Sequence, residues 1–395
     1  MPGAVTRSPL RESNRARIVN VLRVDGPSSR GSLLKTGLSR STVALAVDAL
    51  LREGVLVEVE QPRGSHSTGR PPVHVGLNGA RAAAAGVEIC HGHMRFQLCN
   101  LAQDLIADRI VEIDPSTPPG DTLRVIREQV HDLLDGAGYA IESLLGVGIT
   151  LPGPIQRRSG VVGRACTLKP WIGVPAATLA ASVIGPRVLV DNDANLAALA
   201  EVTWGAARAA EDVAYVYTAA GIGVGLVLDG HIYAGSNGTA GELGHTTIDE
   251  NGLICECGGR GCLNTVANAE AISTQLARTL GQRLPVHQVI ALAEEGDVAC
   301  RRALADAGRH IGTALANLYN LLDPELIVLG GNLARAGQLI LEPLRESMAR
   351  RAIHAGEAVP PVIVGSLHDE VAALGAAAGV LRDGDRFPLV VTDTS

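Results

Sequence analysis

Residues 242–264 run ELGHTTIDENGLICECGGRGCLN. His245, Cys255, Cys257 and Cys262 supply imidazole and thiolate, the ligands that tetrahedral zinc prefers, and four such ligands close a structural site. Three of the seven cysteines fall within eight residues, with Gly258, Gly259 and Gly261 among them. Those glycines let a short loop bend back so that four side chains converge on one ion. The spacing His-x9-Cys-x-Cys-x4-Cys is not the common ribbon pattern of two CxxC pairs. The competing readings are a disulfide or a set of free thiols. A Cys-x-Cys pair is too tight for an easy disulfide, and the rest of the chain has an intracellular character.

A second polar cluster, Asp191-Asn192-Asp193-Ala194-Asn195, follows a short apolar strand at Arg187–Val190. A carboxylate at Asp193 could accept a hydroxyl proton or hydrogen-bond a polyol. The plainer role for any one of these residues is to cap the helix that follows, but all four cannot be caps, which favours a binding site. Glu242 precedes His245 by three residues, beside the metal cluster; its plainer role is a solvated loop acid. A metal on one imidazole nitrogen of His245 fixes the tautomer and leaves a directed N–H for a ligand. The alternative is a histidine that only ligates, or one that is simply buried.

These residues must be positioned by a scaffold poor in aromatics. The chain has 395 residues, 46 % of them apolar and only 2 % aromatic, so its core is built from Ala, Val, Leu and Ile. The length predicts two or three domains. Net charge is -7, which argues against wholesale nucleic-acid binding. The charge is uneven, however. Residues 1–80 hold eleven Lys and Arg against six Asp and Glu, about +5, which leaves about -12 for the rest. A basic head on an acidic body predicts that only the head meets a polyanion. No signal peptide is visible at the start, and the longest apolar run, Val213–Leu228, is short and broken by glycines, so it predicts a buried strand–turn–strand. The expected location is the cytoplasm.

In the head, Asn14–Val24 is expected to be a helix with Ile18, Val19 and Leu22 on one face, ended by Asp25-Gly26-Pro27. Ser28 or Ser29 caps a short second helix to Thr36, and Gly37 makes a turn. Ser39 caps a third helix, Arg40–Glu53, with Val43, Leu45, Val47, Leu50 and Leu51 available for the core. This is the helix-turn-helix order, with Ser39, Arg40, Ser41 and Thr42 able to reach bases and phosphates. A β-hairpin wing follows, its strands at Val55–Val59 and Val73–Leu77. Arg63 and Arg70 at its tip suit phosphate or minor-groove contact. An interaction module without DNA is the plainer reading; the basic excess and the capping pattern together favour DNA.

The body alternates β and α patterns: strands at Leu144–Leu151, Arg187–Val190, Val213–Tyr217, Leu226–Leu228 and Glu325–Leu329, and helices at Leu196–Glu201 and Ile311–Leu322. Repeated strand-to-glycine-turn units predict an α/β architecture with polar groups gathered at strand ends.

Five segments then occur in the order of the ROK family, which groups repressors, open reading frames and sugar kinases. They are Pro152-Gly153-Pro154, Asp191–Asn195, Gly241–His245, the Cys255–Leu263 cluster and Ile327–Gly331. The resemblance covers nearly the whole chain and implies the actin-like/hexokinase-like (ASKHA) two-lobed fold, preceded by a winged helix-turn-helix domain like that of the family's transcriptional regulators. It implies a division into a DNA-binding domain at 1–78, a first lobe at 79–198 completed by a C-terminal helix near 370–383, and a second lobe at 199–369 with the zinc segment and an oligomerisation surface. It also implies structural Zn2+ on His245, Cys255, Cys257 and Cys262, and sugar contacts from Gly153, Asn192, Asp193, Glu242 and His245. In the kinases the residue matching Asp193 is the general base.

The sequence departs from the kinase pattern where nucleotide phosphates bind. The kinases open the body with Asp-x-Gly-Gly-Thr; the matching stretch here is Gly86–His93, in which the acid is Glu88 and the glycine pair and threonine are gone. A phosphate cradle needs small residues for close backbone approach, and His91 and His93 are expected to fill that space. The second phosphate loop, Thr218–Gly225, has Ala219-Ala220 in place of polar and glycine steps. These departures argue against ATP binding and more strongly against phosphoryl transfer. Asn264 stands where the family commonly has a sugar-touching glutamate; it can hydrogen-bond but carries no charge. Thr167 replaces what is often an asparagine-bearing loop.

The expectation is a sugar-responsive transcriptional regulator of the repressor type, not an enzyme, acting on carbohydrate uptake or metabolism genes. Its partners would be operator DNA, a sugar or sugar-derivative effector and copies of itself in a dimer or tetramer, with no membrane. The alternative is an ATP-dependent sugar kinase with a regulatory head, which the retained Asp193 motivates. A zinc hydrolase ranks last, because four protein ligands leave no open coordination position.

Overall fold

The computed structural model of the chain describes residues 9–59, 73–353, 360–368 and 371–383. In the head, α1 (Pro9–Asp25) begins earlier than the capping signals predict and buries Ile18, Val19 and Leu22. Gly26, at φ +74°, ends it. The expected second helix is only a 3-10 turn, Ser32–Thr36, because Ser28–Ser29 extend into β1 instead. Ser29 still serves the turn: its hydroxyl accepts the Ser32 N–H at 3.1 Å. Gly37 (φ +76°) leads into α2 (Arg40–Arg52), where the Ser39 hydroxyl caps the Thr42 N–H at 3.2 Å.

One core expectation fails on α2. Val43, Val47 and Leu50 share the buried face at helical spacing, but Leu45 lies opposite them and is 73 % exposed. The strands β2 (Leu56–Val59) and β3 (His74–Leu77) pair antiparallel, giving the order β1-β3-β2. The wing tip, with Arg63 and Arg70, lies outside the described residues.

The first body sheet contains β4 (Ala83–Ile89), β5 (His93–Asn100), β6 (Leu105–Glu112), β7 (Leu144–Leu151) and β8 (Val188–Asn192) in the order β6-β5-β4-β7-β8. The hairpin strands run antiparallel, while β7 is parallel to both β4 and β8. Helices α3 (Pro119–Gly136) and α4 (Ala176–Val183) join the apolar cluster on one face of it. The second sheet contains β9 (Val213–Thr218), β10 (Ile222–Leu228), β11 (His231–Ile232), β12 (Leu326–Gly331) and β13 (Val362–Val364) in the order β11-β10-β9-β12-β13. The expected strand–turn–strand is the β9–β10 hairpin.

Helix α5 (Asp193–Thr203) lies between the two sheets, touching β9 and β10 of one, β7 and β8 of the other. Helices α6 (Asn264–Ala267), α7 (Ala269–Leu280), α8 (Val286–Glu295), α9 (Val298–Leu322) and α10 (Gln338–Ala349) accompany the second sheet. The last helix, α11 (Val371–Arg382), returns to pack on β4, β7 and α5.

The scarcity of aromatics matches how these layers approach. A Cβ on Gly148 of β7 would sit 2.2 Å from the Ala376 carbonyl oxygen, and one on Gly375 of α11 would sit 1.6 Å from that of Leu196. Sheet, α11 and α5 therefore touch backbone to backbone, a spacing only Gly and Ala allow.

Candidate functional site

The loop between β11 and α6 carries the metal-type cluster. One nitrogen of His245 and the sulfurs of Cys255, Cys257 and Cys262 all lie within 4.8 Å of one another. Cys255 Sγ is 3.6 Å from His245 Nδ1, and Cys257 Sγ is 3.7 Å from Cys262 Sγ. The loop reaches this shape through a few backbone bonds, Cys255 N–H to Gly259 O at 2.8 Å and Gly261 N–H to Leu253 O at 2.8 Å among them. Gly261 has φ +65°, and a Cβ there would lie 1.5 Å from Asp249 O, so no other residue fits. Four soft-donor side chains gathered in this way fit a metal ion. The clustering was legible because all four ligands are local in sequence.

His245 turns the cluster toward a cleft of about 730 Å³ between the two sheets. Gly153, Asn192, Asp193, Glu242, His245 and Asn264 all line it. The polar run at the end of β8 divides its labour. Asp191 Oδ1 accepts from Asn192 N–H and Asn195 Nδ2, so it is an internal brace. Asn192 caps α5 through Oδ1 and donates Nδ2 to Gly153 O at 3.0 Å. Asp193 bonds its neighbour Ala194 N–H through Oδ1. Capping therefore falls to Asn192, and the Asp193 carboxyl faces the cleft at the N-terminus of α5.

Burial pushes the Asp193 carboxyl up to about 7, with Glu88 and then Glu242 adding repulsion, against the backbone N–H of Ala194. Burial alone pushes Glu242 to about 7. Near neutral pH these two acids share the protonated and ionised forms, so they can donate or accept toward a polyol.

In the two segments that resemble the kinase phosphate loops, the polar side chains bond within the protein. Glu88, at the end of β4, is buried, and its Oε1 accepts the Tyr217 hydroxyl at 2.9 Å. His91 follows the end of β4 and His93 opens β5, where Cys90 N–H donates to His93 O; neither histidine lines the cleft. In the second loop the Thr218 hydroxyl is buried, donating to Gly330 O at 2.6 Å and accepting from Leu333 N–H at 3.1 Å. Asn264 Oδ1 accepts the Ile222 N–H at 2.8 Å, so this side chain latches the metal loop to the β9–β10 hairpin and keeps its amide N–H groups for a ligand. Tyr217, Arg164 and Cys166 were missed by sequence reasoning; Thr167, singled out there, also lines the cleft. No local signal marks Tyr217, whose partner is 129 residues away.

In the head, Ser39, Arg40, Ser41 and Thr42 form the start of α2 and are all solvent-accessible, with Ser39 bridging the Ser41 and Thr42 hydroxyls at 2.9 Å each. Helix α5 links the two regions. Its N-terminus is the cleft floor; just past its C-terminus Arg208 donates to Val24 O at the end of α1, and Arg382 Nη1 donates to Thr203 Oγ1 at 3.3 Å.

A model of the ROK family matches residues 84–383. The chain is 28 % identical to the xylose repressor of Caldicellulosiruptor bescii, over 96 % of this chain and 98 % of that protein. It is 32 % identical to the glucokinase of Halalkalibacterium halodurans, over 66 % of this chain and 81 % of that one. Among solved structures it resembles a ROK family transcriptional regulator, a homologue of the E. coli Mlc protein, with a TM-score of 0.81 and 23 % identity over 96 % of this chain and 98 % of that chain. That likeness is one of fold: a two-lobed actin-like body preceded by a winged helix.

Proposed function

The chain belongs to the ROK family, and from that membership we propose that it is a sugar-responsive transcriptional repressor whose head binds operator DNA. The observation that carries this reading is the extent of the likeness to a xylose repressor, which spans head and body together, whereas the glucokinase match covers 66 % of the chain. The site agrees with it. The carboxyl of Glu88, bonded to Tyr217, occupies the end of β4, where a nucleotide phosphate needs close backbone approach, while the polar groups suited to a sugar remain in the cleft.

In this reading the head is residues 1–78, the first lobe 79–198 with α11, and the second lobe 199–369. The metal is zinc. The donors stand close enough to share one ion: Cys257 Sγ is 3.7 Å from Cys262 Sγ, Cys255 Sγ is 3.6 Å from His245 Nδ1, and all four lie within 4.8 Å of one another. Bound, the ion supplies no reaction chemistry; it holds the loop. His245 then presents a fixed N–H, and Asp193, Glu242, Asn192 and the Gly153 backbone hold sugar hydroxyls. Cleft closure moves α5, which is about 16 Å long at 1.5 Å per residue, and shifts α1 through the Arg208–Val24 contact. In a dimer this changes the spacing of two heads over half-sites about 10 base pairs apart or a multiple of it. Arg40 and Thr42 enter the major groove. A coupling of about 1–3 kcal/mol suffices for a 5–150-fold change in affinity.

Footprinting of the upstream region at near-physiological salt, with and without D-xylose, D-glucose and N-acetylglucosamine, tests the proposal. A protected site that weakens with one sugar is expected; no specific protection under any condition would overturn it. The elevated Asp193 carboxyl is what would favour the kinase reading. ADP release over a hexose panel, abolished by Asp193→Asn, would restore that reading.

A further inference from the structure

The cleft is larger than one monosaccharide. It opens over about 730 Å³, well inside the ~300–1,000 Å³ range of clefts that bury drug-sized ligands. The groups assigned above to the sugar hydroxyls account only for its floor. An outer arm continues between α7, α9 and the metal-held loop, lined by Leu253, Ile254, Gln275, Arg278, Asp306 and His310.

Gln275 and Arg278 are one turn apart on α7, and Asp306 and His310 are one turn apart on α9, so each helix presents a polar pair to the same arm. Leu253 and Ile254 are adjacent on the loop and each is 68 % exposed. Large exposed aliphatics bordered by donors and acceptors mark a binding face, and the combination matches a sugar ring, with apolar C–H faces and a polar rim. The arm's charges speak against a phosphate. Glu270 is paired with Arg283 and Asp306 with Arg309, and Glu256 opposes Arg278 in sign, so no surplus positive charge is left to hold a dianion.

We infer that the effector is a saccharide of at least two rings. The inner ring sits on Asp193 and Glu242; a second, neutral ring fills the outer arm, its C–H face on Leu253 and Ile254 and its hydroxyls on Gln275, Asp306 and His310. The inference rests on the reading of the cleft as a sugar site.

Calorimetry on the full chain tests it with D-xylose, D-glucose, xylobiose, cellobiose, maltose and glucose 6-phosphate. One disaccharide is expected to bind at least tenfold tighter than its own monosaccharide. Q275A/H310A should remove that gain while leaving the monosaccharide affinity within threefold, and Ile254→Ser, at an exposed position, should reduce the gain independently. Equal affinity for one ring and two, or a gain untouched by both variants, would overturn the inference and leave the inner sugar site standing. A gain seen only with glucose 6-phosphate would overturn the second ring in favour of a phosphate. No binding of any of these sugars would remove the sugar reading itself, and the inference with it.

Discussion

Cys257→Ser separates the metal's structural role from the head's. Cys257 is the exposed ligand of the four, so serine there leaves no cavity, unlike the buried Cys262. The cost comes from the cross-link. An ion on His245 and Cys262 closes a loop of roughly 18 residues, and by the chain-entropy relation such a closure is worth about 3 kcal/mol. Backbone bonds such as Leu263 N–H to Thr246 O at 3.0 Å retain part of that order, so about 3 kcal/mol is a ceiling. If sugar must reorder the freed loop to use Glu242 and His245, its affinity falls by up to about 150-fold, at 1.4 kcal/mol per factor of ten. The assay combines metal content by mass spectrometry, sugar titration by calorimetry and footprinting without sugar. The expected outcome is lost metal, sugar affinity lowered ten- to 150-fold and retained DNA protection. Lost metal with unchanged sugar affinity would refute the link between cluster and cleft.

Further outcomes follow from other parts of the molecule. Burial raises the folded-state Asp193 carboxyl from 3.8 to about 7, so the unfolded chain releases this proton first and ionisation costs the fold stability as pH rises. The stability advantage of Asp193→Asn should therefore grow between about pH 4 and pH 7 and level off above, as read by denaturant midpoints; a pH-independent difference would contradict the assignment. Gly153→Ala puts a methyl at φ +117° and 2.7 Å from the Cys166 Cα, and should cost about 1–3 kcal/mol and weaken sugar binding. Urea titration and calorimetry check both. Arg40→Ala should weaken operator binding by about 1–3 kcal/mol if it reads a base, or lower the salt slope by about 1 if it holds a phosphate, which gel shifts across a salt series distinguish. Arg208→Ala removes the contact with the Val24 carbonyl and should leave sugar and DNA affinities near normal while reducing the effect of one on the other; unchanged coupling in a sugar-by-DNA titration would rule out this route.

Local patterns carried much of the fold. The caps and glycines of the head place α2 within a residue, and Leu144–Leu151 forms the strand its composition predicts. The metal ligands were readable because a loop brings near neighbours together at little entropic cost. Where local rules compete, sequence misleads: Ser28–Ser29 join β3 rather than open a helix, and Leu45 turns outward because burial on α2 follows the 43–47–50 spacing.

What sequence alone determined, then, is the type of each functional group and the turn or cap that presents it: soft ligands in a glycine loop, an acid at a helix start, a basic head. Tertiary structure decided which of them meet. Glu88 and Tyr217 come from different sheets, Asn192 reaches back to Gly153, and Asn264 anchors to Ile222. The weakened acidity of Asp193 and Glu242 exists only once distant segments exclude water around them. Desolvation and long-range hydrogen bonds depend on neighbours that no local spacing specifies, and so the cleft, with its outer arm, emerges only when both sheets close on α5.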